Sequence, residues 1–148
     1  MNRKILQLVL AVLGLIPLLT GGLSLLLGAQ AFNVVGGSIP STAINNVVLD
    51  SEARFLGAIW FSIGVLLYWI LPSIHQQTTL FRLLTGGIFL GGLGRLASAF
   101  LVGIPPVQFI AVIVLELIGM PLLILWQSLI STPNSLIERA TLQETHSS

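Results

Sequence analysis

Two ionisable side chains interrupt otherwise apolar stretches of this sequence. Arg95 and Glu116 lie on either side of a proline-marked turn at residues 103–107. At a helical rise of about 1.5 Å per residue, each would lie roughly 12 to 14 Å from that turn. A charged group at such a depth in apolar surroundings costs at least a few kcal/mol, so each needs a partner. We expect Arg95 and Glu116 to face each other across two antiparallel helices.

A second pair of charges, Glu52 and Arg54, opens another apolar stretch. It falls at the same predicted end of the molecule as the 103–107 turn. Arginine has a long, flexible side chain, so Arg54 is expected to reach inward toward Glu116. The expected polar cluster therefore comprises Glu52, Arg54, Arg95 and Glu116.

Two interpretations of this cluster remain open. The charges can simply neutralise one another and fix the register of the helices. Alternatively, they bind the polar head of a lipid, a quinone or another small amphiphile, with the arginines donating hydrogen bonds to an anion or a carbonyl. A proton relay through Glu116 would be one form of the second interpretation.

Other chemistries lack the residues they need. The chain has no cysteine, and its two histidines, His75 and His146, lie outside the apolar stretches. No serine–histidine–carboxylate arrangement, phosphate-binding loop or metal-ligand spacing is present. The net charge of +1 leaves no basic surface for nucleic acid. We therefore expect no catalytic triad, no metal and no cofactor held by imidazole.

The surroundings of these charges indicate a membrane protein. Of 148 residues, 55% are hydrophobic and only 7% are charged, whereas a soluble domain has roughly 25% charged residues. About 20 apolar residues in a helix cross the hydrocarbon core of a bilayer. Four stretches meet that requirement, at about residues 5–27, 54–71, 80–102 and 108–129. They lack the alternation of barrel strands, so they predict a single all-α domain over residues 1–148, an integral membrane four-helix bundle with up-down-up-down order.

The distribution of basic residues predicts the orientation. With four spans, both termini share a side, and Arg3, Lys4, Arg82 and Arg139 fall on it, against Arg54 and Arg95 near the other side. The positive-inside rule then places both termini in the cytoplasm. Residues 28–51 would form an outer loop, with either Asp50 or Ser51 capping the second span, and residues 136–148 a mobile polar tail. The first apolar run is too long for a signal-peptide core and is expected to be an uncleaved anchor.

Small residues predict how the helices pack, because helices in lipid associate through close contact at such positions. One series, in the first span, is Gly14, Pro17, Gly21, Ser24 and Gly28; another, in the second, is Gly57, Trp60, Gly64 and Tyr68. In the third span, Gly87, Gly91 and Arg95 share a face at steps of four, which predicts that this face meets another helix. Pro121 should kink the fourth span about one turn beyond Glu116.

Several of these residues resemble the motifs of a known family. The segments are Asp50–Gly57, Phe81–Arg82, Gly91–Arg95, and Glu116–Gly119 with Pro121. Over roughly residues 23–126 the chain resembles a family of bacterial membrane proteins known as domain of unknown function 4345. The resemblance implies a four-helix domain in the bacterial inner or an equivalent membrane, and no assigned activity. A more distant similarity to DoxX-type four-helix proteins, some of which accompany quinone-linked redox enzymes, implies proximity to quinones.

Three functional hypotheses follow. The first is a non-catalytic accessory or assembly subunit of a larger membrane complex. The second is a binding protein or enzyme for a lipid-soluble molecule that uses the charged cluster. The third, a small dimeric transporter, is disfavoured because four spans are few and no inverted repeat is evident. Partners would be the bilayer, other membrane subunits or a second copy of the chain.

Overall fold

The computed structural model of the protein describes residues 3–129. Four long helices dominate it: α1 (Arg3–Leu27), α4 (Val47–Ile70), α5 (Thr78–Leu101) and α6, which runs from Val107 to Leu129. Two short helices, α2 (Ala31–Val34) and α3 (Ser41–Ile44), lie in the connection between α1 and α4. Single 3₁₀ turns follow α1 and α4, at Gly28–Gln30 and Leu71–Ser73. No strand occurs within this described range.

The four long helices are those expected from the apolar stretches. Each is long and apolar enough to cross a membrane, and large apolar side chains such as Leu19, Trp69 and Leu122 are exposed on their outer surfaces. Surfaces of this kind suit lipid rather than water. The predictions of an all-helical fold and of a membrane protein are therefore confirmed. The predicted tail at 136–148 lies outside the described residues.

The beginning of α4 differs from the prediction. The helix begins at Val47 rather than near residue 54, and its N-cap is Asn46, not Asp50 or Ser51. The Asn46 side-chain oxygen accepts hydrogen bonds from the backbone N–H groups of Val48 and Leu49, at 3.0 and 3.1 Å. Hydropathy alone missed this start because the charged and polar residues at 50–54 separate the first turn from the apolar stretch. Asp50 instead lies in that first turn, where a negative charge suits the helix dipole.

Helices α1 and α4 pack closely through small residues. A Cβ atom built on Gly21 would lie 2.5 Å from the backbone nitrogen of Phe61, and one on Gly57 would lie 2.7 Å from Cβ of Ser24. Gly14 lies against the ring of Tyr68, whose hydroxyl donates to the Ala11 carbonyl at 2.6 Å. The predicted glycine series of these two helices are therefore confirmed as contact faces.

The predicted contact face of α5 is wrong. Cβ atoms on Gly87 and Gly91 would meet no other heavy atom within 4 Å among residues 3–129. The contact instead involves Gly92, where a Cβ would lie 2.8 Å from Cβ of Glu116. Both i+3 and i+4 neighbours lie on one side of a helix. The face of α5 that contacts α6 therefore contains Gly92 and Arg95, which are three residues apart, and does not contain Gly91.

One end of the bundle holds most of the buried core. Its best-buried residues include Leu6 near the start of α1, Ile70 at the end of α4, Phe81 near the start of α5 and Leu123 in the second half of α6. Gln127 of α6 donates a hydrogen bond to the Ile74 carbonyl at 3.0 Å at this same end. The opposite half, which holds the end of α1 and the start of α4, is less filled and contains the site described below.

Helix α6 is irregular beside Pro121. It is α-helical over Val107–Val114 and then takes a π-helical turn at Leu115–Gly119. Proline has no N–H to donate to the carbonyl four residues earlier, so the regular ladder cannot continue through this point. The irregularity therefore includes Glu116 itself, one turn earlier than predicted. Such π turns occur frequently at functional sites.

Candidate functional site

Arg95 and Glu116 form an ion pair between α5 and α6. Arg95 Nε lies 3.3 Å from Glu116 Oε2, as the depth argument predicted. The Glu116 side chain is 5% exposed, whereas that of Arg95 is 45% exposed. The absence of a side chain at Gly92 allows α5 to approach Glu116 closely. A buried acid thus holds one edge of a half-exposed guanidinium group.

The hydrogen-bonding capacity of this pair is incompletely used. Glu116 Oε2 is buried and has no hydrogen-bond partner among the described residues. The contact with Arg95 is close enough for an ion pair but lacks hydrogen-bond geometry. An arginine side chain carries five N–H donors. Those of Arg95 donate to no acceptor within residues 3–129, so the guanidinium remains available to another molecule.

A cavity of about 380 Å³ lies beside Arg95. It separates the α1–α4 pair from the α5–α6 pair in the less filled half of the bundle. Most of its wall is apolar, and its polar groups come from Thr20, Ser24, Trp60, Arg95 and Gln108. Trp60 Nε1 donates to Thr20 Oγ1 at 2.9 Å, so these two groups pair with each other. Arg95 is the charged residue among those that line the cavity.

The connection between α1 and α4 covers part of this cavity. Phe32 and Val35, in and just after α2, contribute to its lining. Gln108 Nε2, at the start of α6, donates to the Gly36 carbonyl at 2.7 Å and so attaches this cover to α6. A side chain at Gly36 would collide with Gln108, and the residue has φ +94°, a conformation that favours glycine. This hydrogen bond joins the cover to a segment 72 residues away in the sequence.

Arg54 does not join the cavity pair. Its Nε donates to Asp50 Oδ2 at 2.8 Å, and its Nη1 donates to the carbonyls of Leu25 and Leu26 at 3.1 and 2.8 Å. Asp50 Oδ1 in turn accepts from the backbone N–H of Ala29 at 3.1 Å. The last carbonyls of a helix have no partner within it. Arg54 and Asp50 therefore cap the C-terminus of α1, and the expected contact of Arg54 with Glu116 is not formed.

Glu52 also lies apart from the pair. It is exposed on α4, and it forms no ion pair with any residue in the described part of the chain. The predicted cluster of four charges is therefore divided into a capping pair, Asp50 with Arg54, and a cavity pair, Arg95 with Glu116. A role in binding remains a prediction, and only the cavity pair has the position for it.

Two residues of this region were not recognised in the sequence. Asp50 was considered only as a cap for its own helix, although its i,i+4 spacing from Arg54 is that of a helical ion pair. Gln108 was treated only as the boundary of a span. Its signal was a polar side chain two residues after the Pro105–Pro106 pair, at the start of an apolar helix.

The fold and this site define a small four-helix membrane protein with one charged cavity between two pairs of helices. The chain belongs to the family described as Domain of unknown function (DUF4345), whose model matches residues 5–127. This confirms the resemblance found in the sequence motifs. No curated protein and no solved structure matches the chain.

Proposed function

We propose that this protein binds a membrane-soluble amphiphile, such as a lipid or a quinone, with its polar end at Arg95. The main support is the position of the Arg95 guanidinium. It lies on the wall of a 380 Å³ cavity, and its N–H groups have no acceptor within residues 3–129. An unpaired donor in apolar surroundings is costly. An oxygen atom of a bound molecule would complete its hydrogen bonding.

The size and chemistry of the cavity fit this role. Sites for small molecules have volumes of roughly 300 to 1,000 Å³, mostly apolar walls and a few placed polar groups. The planar guanidinium can hold two oxygens of one head group at once. Glu116 acts as a positioning residue, because it pairs with Arg95 Nε at 3.3 Å while Arg95 lines the cavity.

The orientation belongs to the same proposal. The densely packed end of the bundle carries Arg3, Lys4 and Arg82, so the positive-inside rule places it, with both termini, in the cytoplasm. The up-down-up-down order follows from that placement. The cavity would then open in the outer half of the bilayer, and we take the host membrane to be the bacterial inner membrane or an equivalent one. A ligand would enter from the outer leaflet or from the space beyond it.

Native mass spectrometry tests the proposal. The full chain is extracted from its own membrane in mild detergent, and every mass that remains bound is recorded. We expect a retained small amphiphile with the wild type and its loss with Arg95→Gln. Arg82→Gln is the matched control, because it removes an exposed charge from the same helix at the other end.

Further variants and outcomes complete the test. Arg95→Lys keeps the charge but loses the planar fork, and we expect it to fold normally and retain less ligand. Retention of the same mass by Arg95→Gln, or a wild-type protein without a bound amphiphile, would overturn the proposal. Co-purification with larger subunits that is unaffected by Arg95→Gln would instead favour the accessory-subunit hypothesis, and ligand flux across vesicles would favour the transporter.

A further inference from the structure

A second, smaller cavity lies deeper in the bundle. It measures about 40 Å³ and is lined mainly by apolar side chains, among them Leu10, Leu67, Ile88, Met120 and Leu123. Its lining also includes Thr85, Glu116 and the indole ring of Trp60. Thr85 donates its hydroxyl to the Phe81 carbonyl at 2.7 Å, and Glu116 faces Arg95. Almost all of its exposed lining is apolar, so it can accept apolar atoms.

The two cavities are neighbours along the bundle. Ile16, Trp60 and Val112 line both of them. The ion pair bridges the same boundary, because Arg95 lines the outer cavity and Glu116 lines the deep one. A molecule that fills the outer cavity therefore has a further apolar space next to it, on the side of the buried core around Leu6, Ile70 and Phe81.

The dimensions restrict what enters the deep cavity. An engineered cavity that holds benzene measures about 150 Å³, which is nearly four times the deep cavity. A ring therefore does not fit without rearrangement, whereas the end of a narrow alkyl chain does. At the other end, the fork of Arg95 matches the two oxygens of a carboxylate.

We infer that the ligand is a single-chain carboxylic acid whose carboxylate binds Arg95 and whose alkyl end occupies the deep cavity, which selects for chain length and shape. This inference rests on the proposed function and specifies its ligand class. The tail gains little from leaving lipid, because lipid is equally apolar. Selection therefore comes from fit, so that filling or enlarging the deep cavity changes which tail binds.

The test uses the full chain in detergent with added octanoic or palmitic acid, and native mass spectrometry measures the bound fraction. We expect Ile88→Phe, which fills the deep cavity, to weaken binding of palmitic acid by about tenfold, the change that 1.4 kcal/mol of lost packing produces. Binding of octanoic acid, which fits in the outer cavity, should be unchanged. Leu90→Phe is the matched control, because Leu90 lies on the exposed surface of the same helix.

A second variant guards against a folding defect in the first. Met120→Ala enlarges the deep cavity, and we expect it to gain binding of a carboxylic acid whose chain ends in a phenyl ring. Equal binding of all these acids by the wild type and both variants would overturn the inference while leaving an Arg95-dependent ligand, and thus the proposed function, intact. Failure of the wild type to bind any carboxylic acid, while it retains another amphiphile in an Arg95-dependent manner, would also overturn the inference alone. Absence of every amphiphile would overturn both.

Discussion

Gly92 of α5 lies directly against Glu116 of α6, so that a Cβ atom on this glycine would be 2.8 Å from Cβ of the acid. The contact allows the two helices to approach each other where Glu116 pairs with Arg95. The packing of α5 against α6 and the geometry of the candidate site therefore both depend on the contact between Gly92 and Glu116.

Gly92→Ala should therefore disturb both stability and the site. The added methyl group also crowds the Leu117 side chain at 3.2 Å, and overpacking of this kind costs about 1 to 3 kcal/mol. We expect a lower midpoint of thermal unfolding in detergent and weaker ligand retention. Gly91→Ala is the control, because its methyl group would meet no heavy atom within 4 Å in the described chain. An equal loss of stability in both variants would contradict the assigned contact face.

Because α1 and α4 pack closely, Gly21 and Gly22 of α1 should differ in how well they tolerate a side chain. Gly21→Ala would place a methyl group 2.5 Å from the backbone nitrogen of Phe61, and backbone cannot move aside as a side chain can. We expect it to destabilise the protein by at least about 1 to 3 kcal/mol, measured as loss of monodisperse protein on heating. Gly22→Ala meets the Phe61 ring at an ordinary 3.5 Å and should be tolerated. Normal stability of Gly21→Ala would show that the helices pack less closely.

Removal of the capping pair should loosen the end of α1. Arg54→Gln removes the donor to the Leu25 and Leu26 carbonyls and the partner of Asp50. We expect faster amide hydrogen exchange at Gly28–Val34, since Asp50 then holds the Ala29 N–H less firmly. Glu52→Gln alters an exposed charge on the same helix and should leave exchange unchanged. Equal rates of exchange in the two variants would show that Arg54 does not stabilise the end of α1.

The proposed orientation can be read by chemical labelling, because the chain contains no cysteine. Single cysteines in place of Ser41, in α3, and Gln76, in the α4–α5 turn, are both at exposed positions. In intact cells, a membrane-impermeant maleimide should label Ser41→Cys and should reach Gln76→Cys only after lysis. The reverse pattern would place the cavity on the cytoplasmic side.

The sequence by itself determined the membrane character, the four long helices and the Arg95–Glu116 pair. These features depend on quantities that are local in the chain. The length of an apolar run decides whether it spans a bilayer, and the cost of burying a charge requires a partner at equal depth. The glycine series of α1 and α4 were predictable for the same reason, because each recurs regularly at helical spacing.

Only the tertiary structure decided the partner of Arg54, the contact face of α5 and the existence of the two cavities. Arg54 was within reach of either Glu116 or the end of α1, and the choice depends on the separation of two helix pairs that no local pattern encodes. Steps of three and four are equally compatible with one helix face, so packing alone selected Gly92 over Gly91. A cavity is the space left between segments distant in sequence, such as Gly36 and Gln108, and its shape is fixed only when all of them are in place.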